Sequence, residues 1–138
     1  MSKVAIVFWS QTGNTETMAN CIAEGAGANA TMIPCSEMNA AKLGEYDVVA
    51  FGCPAMGAEQ LEESEFEPMF SDLEGSLNGK KVAMFGSYGW GDGEWMRGWE
   101  KDCDDSGIRL VCESVTCCEA PDDAALDACR ALGKELAK

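Results

Sequence analysis

Three segments of the chain combine glycine with hydroxyl, amide, sulfur or aromatic side chains, the groups that bind phosphates and flat ring systems. They are residues 10–15, 52–57 and 86–93. Each follows a short run of apolar residues, which is typical of a strand buried on both faces in a parallel sheet. Because parallel strands end at the same edge of their sheet, we expect the three segments to meet at one place.

The first segment has the groups needed to hold a phosphate without a basic side chain. Ser10, Thr12, Asn14 and Thr15 supply hydroxyl and amide donors, and Gly13 permits a tight turn that exposes backbone N–H groups. A helix is predicted to begin near Asn14 or Thr15, which turns its positive dipole end toward the segment. An ordinary Ser/Thr-rich helix cap is the alternative that this segment alone leaves open.

Several other kinds of phosphate site are disfavoured by residues that the chain lacks. No Gly-Lys-Ser/Thr sequence indicates a P-loop of the nucleoside-triphosphatase type, and no Gly-x-Gly-x-x-Gly sequence indicates a Rossmann dinucleotide site. The third apolar run ends in Gly52 and Cys53 rather than in the Asp that a phospho-acceptor receiver domain requires. No Cys opens the first segment, as the nucleophile of a phosphatase would.

Met56 and Trp90, in the second and third segments, are suited to contact a flat ring. Met56 lies outside any helical or strand period, and Trp90 stands between Gly89 and Gly91, where a large ring has little local scaffold. Both could instead pack in the core, which is the usual place for Met. At the binding edge of a sheet, an aromatic side chain in a glycine-rich loop is more often a ligand platform. The pair therefore indicates a bound planar nucleotide, for which a flavin is the best candidate.

Apolar runs and helical patterns alternate along the whole chain. Strands are predicted at 4–9, 30–35, 48–52, 81–86 and 109–117. Apolar residues at helical spacing indicate the helices, namely Met18, Ile22, Ala23 and Ala26; Phe66, Met69, Phe70, Leu73 and Leu77; Trp95, Met96, Trp99 and Cys103; and Leu126, Cys129, Leu132 and Leu136, the last set behind Asp122 or Asp123 as N-cap. These units predict one α/β domain over residues 1–138, a three-layer sandwich whose five-stranded parallel sheet has the order 2-1-3-4-5 and helices on both faces.

The composition is strongly acidic, with 24 Asp and Glu against 10 Lys and Arg and a net charge of −14. This excess argues against nucleic acid as a partner, because phosphate backbones are bound by Lys and Arg. It is compatible with electrostatic steering toward basic partners. Five acidic residues follow the second segment and could form either a functional rim or ordinary surface charge: Glu59, Glu62, Glu63, Glu65 and Glu67.

Eight cysteines are present, but no Cys-x-x-Cys spacing and no His accompany them, so a zinc or iron–sulfur site is not indicated. Most fall on apolar faces of predicted elements, which is typical of small buried side chains in a reducing compartment. No apolar run approaches the roughly 20 residues of a membrane span. We therefore expect a cytoplasmic protein with no metal and no membrane partner.

With these three segments in this order, the chain resembles the short-chain flavodoxins over its whole length. The resemblance implies a flavodoxin-like fold, non-covalently bound FMN and service as a low-potential one-electron carrier without substrate turnover. It implies that the phosphate lies on the first segment near Ser87, that Met56 and Trp90 flank the isoalloxazine ring, and that Glu59 bonds its pyrimidine end. The expected cofactor-binding residues are Ser10, Gln11, Thr12, Gly13, Asn14, Thr15, Ala55, Met56, Gly57, Ala58, Glu59, Ser87, Tyr88, Gly89, Trp90, Gly91 and Cys118, for the last of which no role is fixed.

The resemblance also implies how the FMN cycles between semiquinone and hydroquinone. A peptide after Met56 flips on reduction, and the carbonyl of Gly57 then accepts a hydrogen bond from the protonated ring nitrogen; Gly57 tolerates such a flip. The second electron makes an anion, which the net charge of −14 and the lack of Lys and Arg in the three segments disfavour. We expect a low potential for that step, a monomer, and basic-patched redox proteins that dock at the acidic FMN rim.

Two other functions are alternatives at this point. A small flavin-dependent quinone or nitro reductase of the same fold would need a substrate pocket and often a hydride-donor site, and the sequence sets no residues aside for either. A non-redox FMN-binding module would hold flavin without a stabilised semiquinone. Cys53, beside the second segment, could be a redox-active thiol, although a packing role is the more usual one.

Ala58→Gly is predicted to stabilise the semiquinone. A type II turn centred on Gly57 and Ala58 would place positive φ on Ala58, a position that favours Gly or Asn, at a strain on the order of 1 kcal/mol. Relief of that strain should raise the potential of the first one-electron step by tens of millivolts at most, as measured by an anaerobic redox titration. An unchanged or less stable semiquinone would contradict this idea.

Overall fold

The computed structural model describes residues 3–9, 13–53, 65–77, 80–88, 94–111, 114–118 and 120–137. The strands in these ranges are β1 Val4–Phe8, β2 Ala30–Pro34, β3 Val48–Gly52, β4 Lys81–Tyr88, β5 Arg109–Leu110 and β6 Val115–Cys118. The α-helices are α1 Asn14–Ala26, α2 Ala40–Leu43, α3 Phe66–Leu73, α4 Glu94–Asp105 and α5 Asp123–Leu136. Short 3₁₀ turns occur at Gly27–Asn29, Cys35–Glu37 and Glu74–Ser76.

All of these strands belong to one parallel sheet in the order β2-β1-β3-β4-β5, with β6 also paired to β4. The predicted order 2-1-3-4-5 is thereby confirmed. Among the described strands, β2 pairs only with β1, and it ends at Pro34. A proline is tolerated there because an edge strand does not need every backbone N–H for the ladder.

The predicted fifth strand, 109–117, is wrong as a single element, because it divides into β5 and β6. β5 pairs with the start of β4 through Leu110 and Val82, and β6 pairs with its end through Val115 and Phe85. Three steps along β4, from Val82 to Phe85, thus face five steps along the outer chain, from Leu110 to Val115. β5 and β6 therefore cannot pair with β4 as one regular ladder, because their registers with β4 differ by two residues.

The register of the three central strands brings their carboxyl ends level. Phe8 of β1 lies opposite Gly52 of β3, and Gly52 lies opposite Phe85 of β4. The hydrogen bond from the backbone N–H of Trp9 to the carbonyl of Gly52, at 3.0 Å, extends this pairing one residue beyond β1. The chain therefore leaves β1 and β3 at the same edge of the sheet, while β4 continues past it.

Each face of the sheet is covered by helices, as predicted. Along β3, Val49 and Phe51 enter the core formed with α3 and α4, whereas Val48 and Ala50 enter the core formed with α1 and α5. All four side chains are fully buried. A strand buried on both faces has no polar alternation, which is why the apolar runs in the sequence were continuous.

The helices begin and end close to the predicted places. α1 begins at Asn14, and α5 is capped by Asp122, whose Oδ1 accepts a hydrogen bond from the N–H of Ala125 at 2.8 Å. α3 ends at Leu73, before the predicted Leu77, which is nonetheless fully buried after a 3₁₀ turn. In the described ranges, no helix has the length and apolar character needed to cross a membrane.

Helices α1 and α5 approach each other closely at two glycines. A Cβ on Gly25 would stand 2.0 Å from the carbonyl oxygen of Arg130, and one on Gly133 would stand 2.0 Å from the carbonyl oxygen of Ile22. Both obstacles are backbone atoms of the facing helix, which cannot move aside as a side chain does. This contact fixes α1, and with it the amino-terminal end of α1 at the edge of the sheet.

Gly25→Ala and Gly133→Ala are predicted to destabilise the protein by about 1–3 kcal/mol, because each added methyl overpacks the α1–α5 contact. Gly98→Ala provides the matched control, since a Cβ at this position in α4 meets no atom within 4 Å. It should stabilise the protein by about 0.5–1 kcal/mol through helix propensity alone. Urea unfolding followed by far-ultraviolet circular dichroism measures all three, and equal midpoints would contradict the close approach.

Candidate cofactor site

The first predicted segment runs into the amino terminus of α1. Gly13 is the N-cap, with a φ of 93° that favours glycine, and its carbonyl accepts hydrogen bonds from the N–H and Oγ1 of Thr17, each at 2.9 Å. A glycine N-cap has no side chain to satisfy the first-turn N–H groups of the helix. That end of α1 therefore combines a positive dipole with N–H donors suited to an anion.

Two buried hydroxyl groups lie behind this helix end. Thr15 of α1 is 1% exposed and Ser87 of β4 is 4% exposed, and their oxygen atoms are 3.5 Å apart. They are the only buried polar side chains in the described ranges. A hydroxyl carries one proton and two lone pairs, and this long contact uses little of that capacity. The pair thus retains capacity to donate hydrogen bonds to a phosphate.

Cys53, the second residue of the second segment, is bonded to residues of both β4 and α4. Its N–H donates to the carbonyl of Phe85 at 3.2 Å, and its own carbonyl accepts a hydrogen bond from Nε1 of Trp95 at 3.3 Å. The same carbonyl packs against Gly86, where a Cβ would stand only 2.3 Å from the oxygen. The position and direction in which the chain leaves β3 are therefore determined by β4 and α4 together.

The third segment starts inside a strand rather than in a loop. Ser87 and Tyr88 were predicted to follow a strand that ends at Gly86, but β4 extends to Tyr88 because β6 pairs with it. Tyr88 packs on Trp95, with the ring centroids 5.5 Å apart and the planes inclined by 55°. Glycine at 86 reflects close packing against Cys53 and not a turn.

The structure brings together only part of the predicted site. Gly13, Asn14, Thr15, Ser87 and Tyr88 lie at the carboxyl edge of the sheet, and the backbone of Cys118 lies beside Tyr88 in the ladder. The remaining predicted residues lie outside the described ranges: Ser10, Gln11, Thr12, Ala55, Met56, Gly57, Ala58, Glu59, Gly89, Trp90 and Gly91.

Trp95 is the residue near the site whose role the sequence did not reveal. Its helical spacing predicted a core position, and it is indeed 3% exposed. The spacing could not show that its indole N–H reaches the start of the second segment while its ring reaches the start of the third. A buried Trp generally needs an acceptor for its N–H, which is the signal that could have prompted a search for one.

The cysteine side chains that the structure describes are mostly buried, as predicted for packing residues. Buried are Cys21, Cys35, Cys53, Cys103 and Cys129, whereas Cys117 is partly buried, and none of these six forms a disulfide bond. Burial raises the pKa of Cys103 and of Cys129 from 9.0 to about 12, with nearby carboxylates adding to the shift at Cys103 and nearby thiols adding to it at Cys129, so both stay protonated and unreactive at neutral pH. The described part of the chain contains no cluster of His, Cys, Asp and Glu that could hold a metal ion.

Comparisons with known proteins agree on one family. The family model for flavodoxin matches residues 6–133. A flavodoxin of Megasphaera elsdenii is 46% identical over 138 residues, covering 98% of both chains, and one of Clostridium beijerinckii is 46% identical over 135 residues, covering 96% of this chain and 97% of the relative. The solution structure of two-electron reduced Megasphaera elsdenii flavodoxin superposes with a TM-score of 0.88 at 45% identity, covering 97% of this chain and 98% of that one.

The geometry described above fits the cofactor of that family. FMN carries a phosphate, and the glycine-capped end of α1 with the Thr15–Ser87 pair supplies neutral donors for one. The predicted family, fold and cofactor are confirmed, and the alternative of a small flavin-dependent reductase is not favoured, since the named relatives are carriers without substrate turnover. The chain belongs to the flavodoxin family of FMN-binding electron carriers.

Proposed function

We propose that the FMN phosphate is held by the first segment and the residues behind it. The observation that carries this assignment is the buried Thr15–Ser87 hydroxyl pair beside the glycine N-cap of α1. The backbone N–H groups of the first turn and the side chain of Asn14 complete the described part of the site. Ser10, Gln11 and Thr12 precede Gly13 directly in the chain, and we assign them to the same phosphate.

The ring system is assigned to the second and third segments. Cys53 and Tyr88, where those segments begin, are both connected to Trp95, so the two segments start close together. Met56 and Trp90 are the side chains that we assign to the two faces of the ring, and Glu59 to its pyrimidine end. Ala55, Gly57, Ala58, Gly89 and Gly91 flank them in the chain and supply backbone contacts. The pairing of Cys118 with Tyr88 supports its assignment to the same part of the site.

The protein's own contribution is to bind, orient and shield. When bound, FMN supplies the one-electron redox chemistry. The α1 terminus anchors the phosphate end, the flanking side chains exclude water from the ring, and the Gly57 carbonyl is the acceptor that we assign to a ring N–H. None of these contributions comes from a basic side chain, because the three segments contain no Lys or Arg. The site therefore does little to offset negative charge added on reduction.

The net charge of −14 supports a low potential for the second electron and a basic partner. Adding negative charge to an already acidic protein is opposed by Coulomb repulsion. The same field attracts a partner with a basic patch, and Glu65 and Glu67 are exposed residues of the acidic group that follows the second segment. We propose that this group forms the docking rim, with Glu59, Glu62 and Glu63 belonging to it although they lie outside the described ranges.

The compartment and the assembly are proposals of the same kind. The six cysteines whose side chains the structure describes form no disulfide bond, which is compatible with the reducing interior of a cell. We assign the protein to the cytoplasm on this ground. We further propose a monomer, because the mutual repulsion of two chains of net charge −14 opposes self-association.

Ser87→Ala is predicted to weaken FMN binding about 10- to 100-fold, because a hydrogen bond to a charged group contributes about 1.5–3 kcal/mol. Riboflavin, which lacks the phosphate, provides the ligand control, and its affinity should change less than twofold. Ser71→Ala provides the protein control, since Ser71 is exposed on α3. Fluorescence titration of the apoprotein measures all of these affinities. Equal losses for FMN and riboflavin would remove Ser87 from the phosphate site.

Stepwise anaerobic reduction of the FMN-loaded protein tests the carrier function. We expect two resolved one-electron steps, the second at low potential. Raising the ionic strength from about 0.01 M to about 1 M shortens the Debye length from about 30 Å to about 3 Å. Since screening weakens the repulsion, the second potential should rise by tens of millivolts. A direct two-electron reduction without an intermediate would contradict the one-electron carrier function. A second potential that does not change with ionic strength would exclude a long-range contribution of the protein charge.

A further inference from the structure

One indole connects the starts of the two segments assigned to the FMN ring. The Nε1 of Trp95 donates to the carbonyl of Cys53 at 3.3 Å, and the Trp95 ring packs 5.5 Å from that of Tyr88. Cys53 lies in the second segment and Tyr88 in the third, and each is the last residue of its segment within the described ranges. Trp95 itself lies one residue inside α4, so it ties both starting points to a helix.

The Trp95 indole N–H supplies the Cys53 carbonyl with a donor inside the core. Cys53 is fully buried, and a hydrogen bond to a buried carbonyl offsets the cost of removing that carbonyl from water. Its N–H is already bonded to Phe85, and the absence of a Cβ at Gly86 leaves just enough room for the carbonyl oxygen. The peptide after Cys53 is thus held between β4 and α4, and the indole N–H secures the α4 side.

Trp99 lies one helical turn further along α4 and serves as a comparison, because it is a buried tryptophan without such a bond in the described part of the chain. It is 2% exposed, against 3% for Trp95. Its Nε1 has no hydrogen-bond acceptor among the described residues, and its ring meets Phe66 and Phe70 edge to face, with interplanar angles of 90° and 80°. Trp99 is therefore a packing residue, and the specific bond is confined to Trp95.

We propose that Trp95 is a positioning residue for the FMN ring. It acts through Cys53 and Tyr88, holding the second and third segments at the spacing that the ring requires. The inference rests on the proposed assignment of Met56 and Trp90 to the ring faces. It assigns a role to α4 that lies outside the three segments themselves.

If Trp95 positions the ring, the strength of the Trp95–Cys53 bond and the affinity for FMN must be thermodynamically linked. If the Trp95–Cys53 bond favours the arrangement that binds FMN, then FMN must strengthen that bond by the same factor. A residue that only fills space would lower stability when it is shortened, but it would have no such coupling. Coupling to FMN is therefore the property that separates positioning from packing.

The first experiment compares Trp95→Phe with Trp99→Phe, two variants that lose the same atoms from equally buried sites of one helix. We expect Trp95→Phe to raise the Kd of FMN about five- to tenfold and Trp99→Phe to change it less than twofold. We also expect Trp95→Phe to shift the first one-electron potential by about 28 mV or more. A shift of that size means that the affinities for the oxidised and the one-electron-reduced cofactor change by factors that differ threefold. Indistinguishable affinities and potentials in the two variants would overturn the proposal.

The second experiment needs no variant, and it decides the matter even if Trp95→Phe fails to fold. Exchange of the two indole N–H protons with deuterium is followed by nitrogen-15 NMR in the apoprotein and in the FMN-loaded protein. We expect FMN to slow exchange at Trp95 at least fivefold more than at Trp99, which corrects for any general stabilisation. Equal slowing at both indoles would overturn the proposal.

The two experiments also separate this inference from the function on which it rests. If the wild-type protein gained no flavin absorbance when loaded with FMN, the proposed binding site and the inference would both be overturned. If the wild type binds FMN and Trp95 behaves as Trp99 does, only the inference is overturned. A selective response of Trp95 in both affinity and exchange is the result that supports it.

Discussion

The level pairing of β1, β3 and β4 is the constraint on which the rest of the structure depends. Because side chains alternate along a strand, a slip of one residue would exchange the two cores, moving Phe51 from the α3–α4 face to the α1–α5 face. The observed register also sets Gly52 against the Phe85 ring, where a Cβ would stand 2.2 Å from the ring. Only in this register do β1 and β3 end level with each other at the carboxyl edge of the sheet.

The segments assigned to the site contain no Lys or Arg, unlike many phosphate sites. In the phosphate site that we propose, neutral hydroxyl groups and a helix terminus take the place of Lys and Arg, so an anion can be bound without adding a basic side chain to an acidic protein. For an electron carrier this has a direct effect, because positive side chains beside the ring would stabilise the fully reduced form.

Much of this organisation could be predicted from the sequence, because it follows from local patterns. The continuous apolar runs gave β1 and β3 to within one residue, and the Gly13–Asn14 boundary placed the start of α1. Where partners decide the outcome, local patterns fail. The length of β4 beyond Gly86 depends on its pairing with β6. Position 86 requires glycine because the carbonyl of Cys53 packs against it, and not because the chain turns there.

The same limit applies to the site. The donors near Thr15 could be read from residue types, whereas its contact with Ser87, 72 residues later in the chain, required the strand order. Trp95 and Trp99 are indistinguishable by helical spacing, and only the fold shows that one indole N–H has an acceptor while the other has none among the described residues. Periodicity predicts which side chains are buried, but not which polar atoms are bonded.

The interruption between β5 and β6 has a consequence for the protein's behaviour at high concentration. A free sheet edge is a template on which another chain can add a strand, which is a common route to aggregation. Within the described ranges, the outer edge offers two residues in β5 and four in β6, and the pairing of β6 with β4 is offset by two residues from that of β5. A strand from a second copy of the chain therefore finds no continuous ladder to join along these two strands.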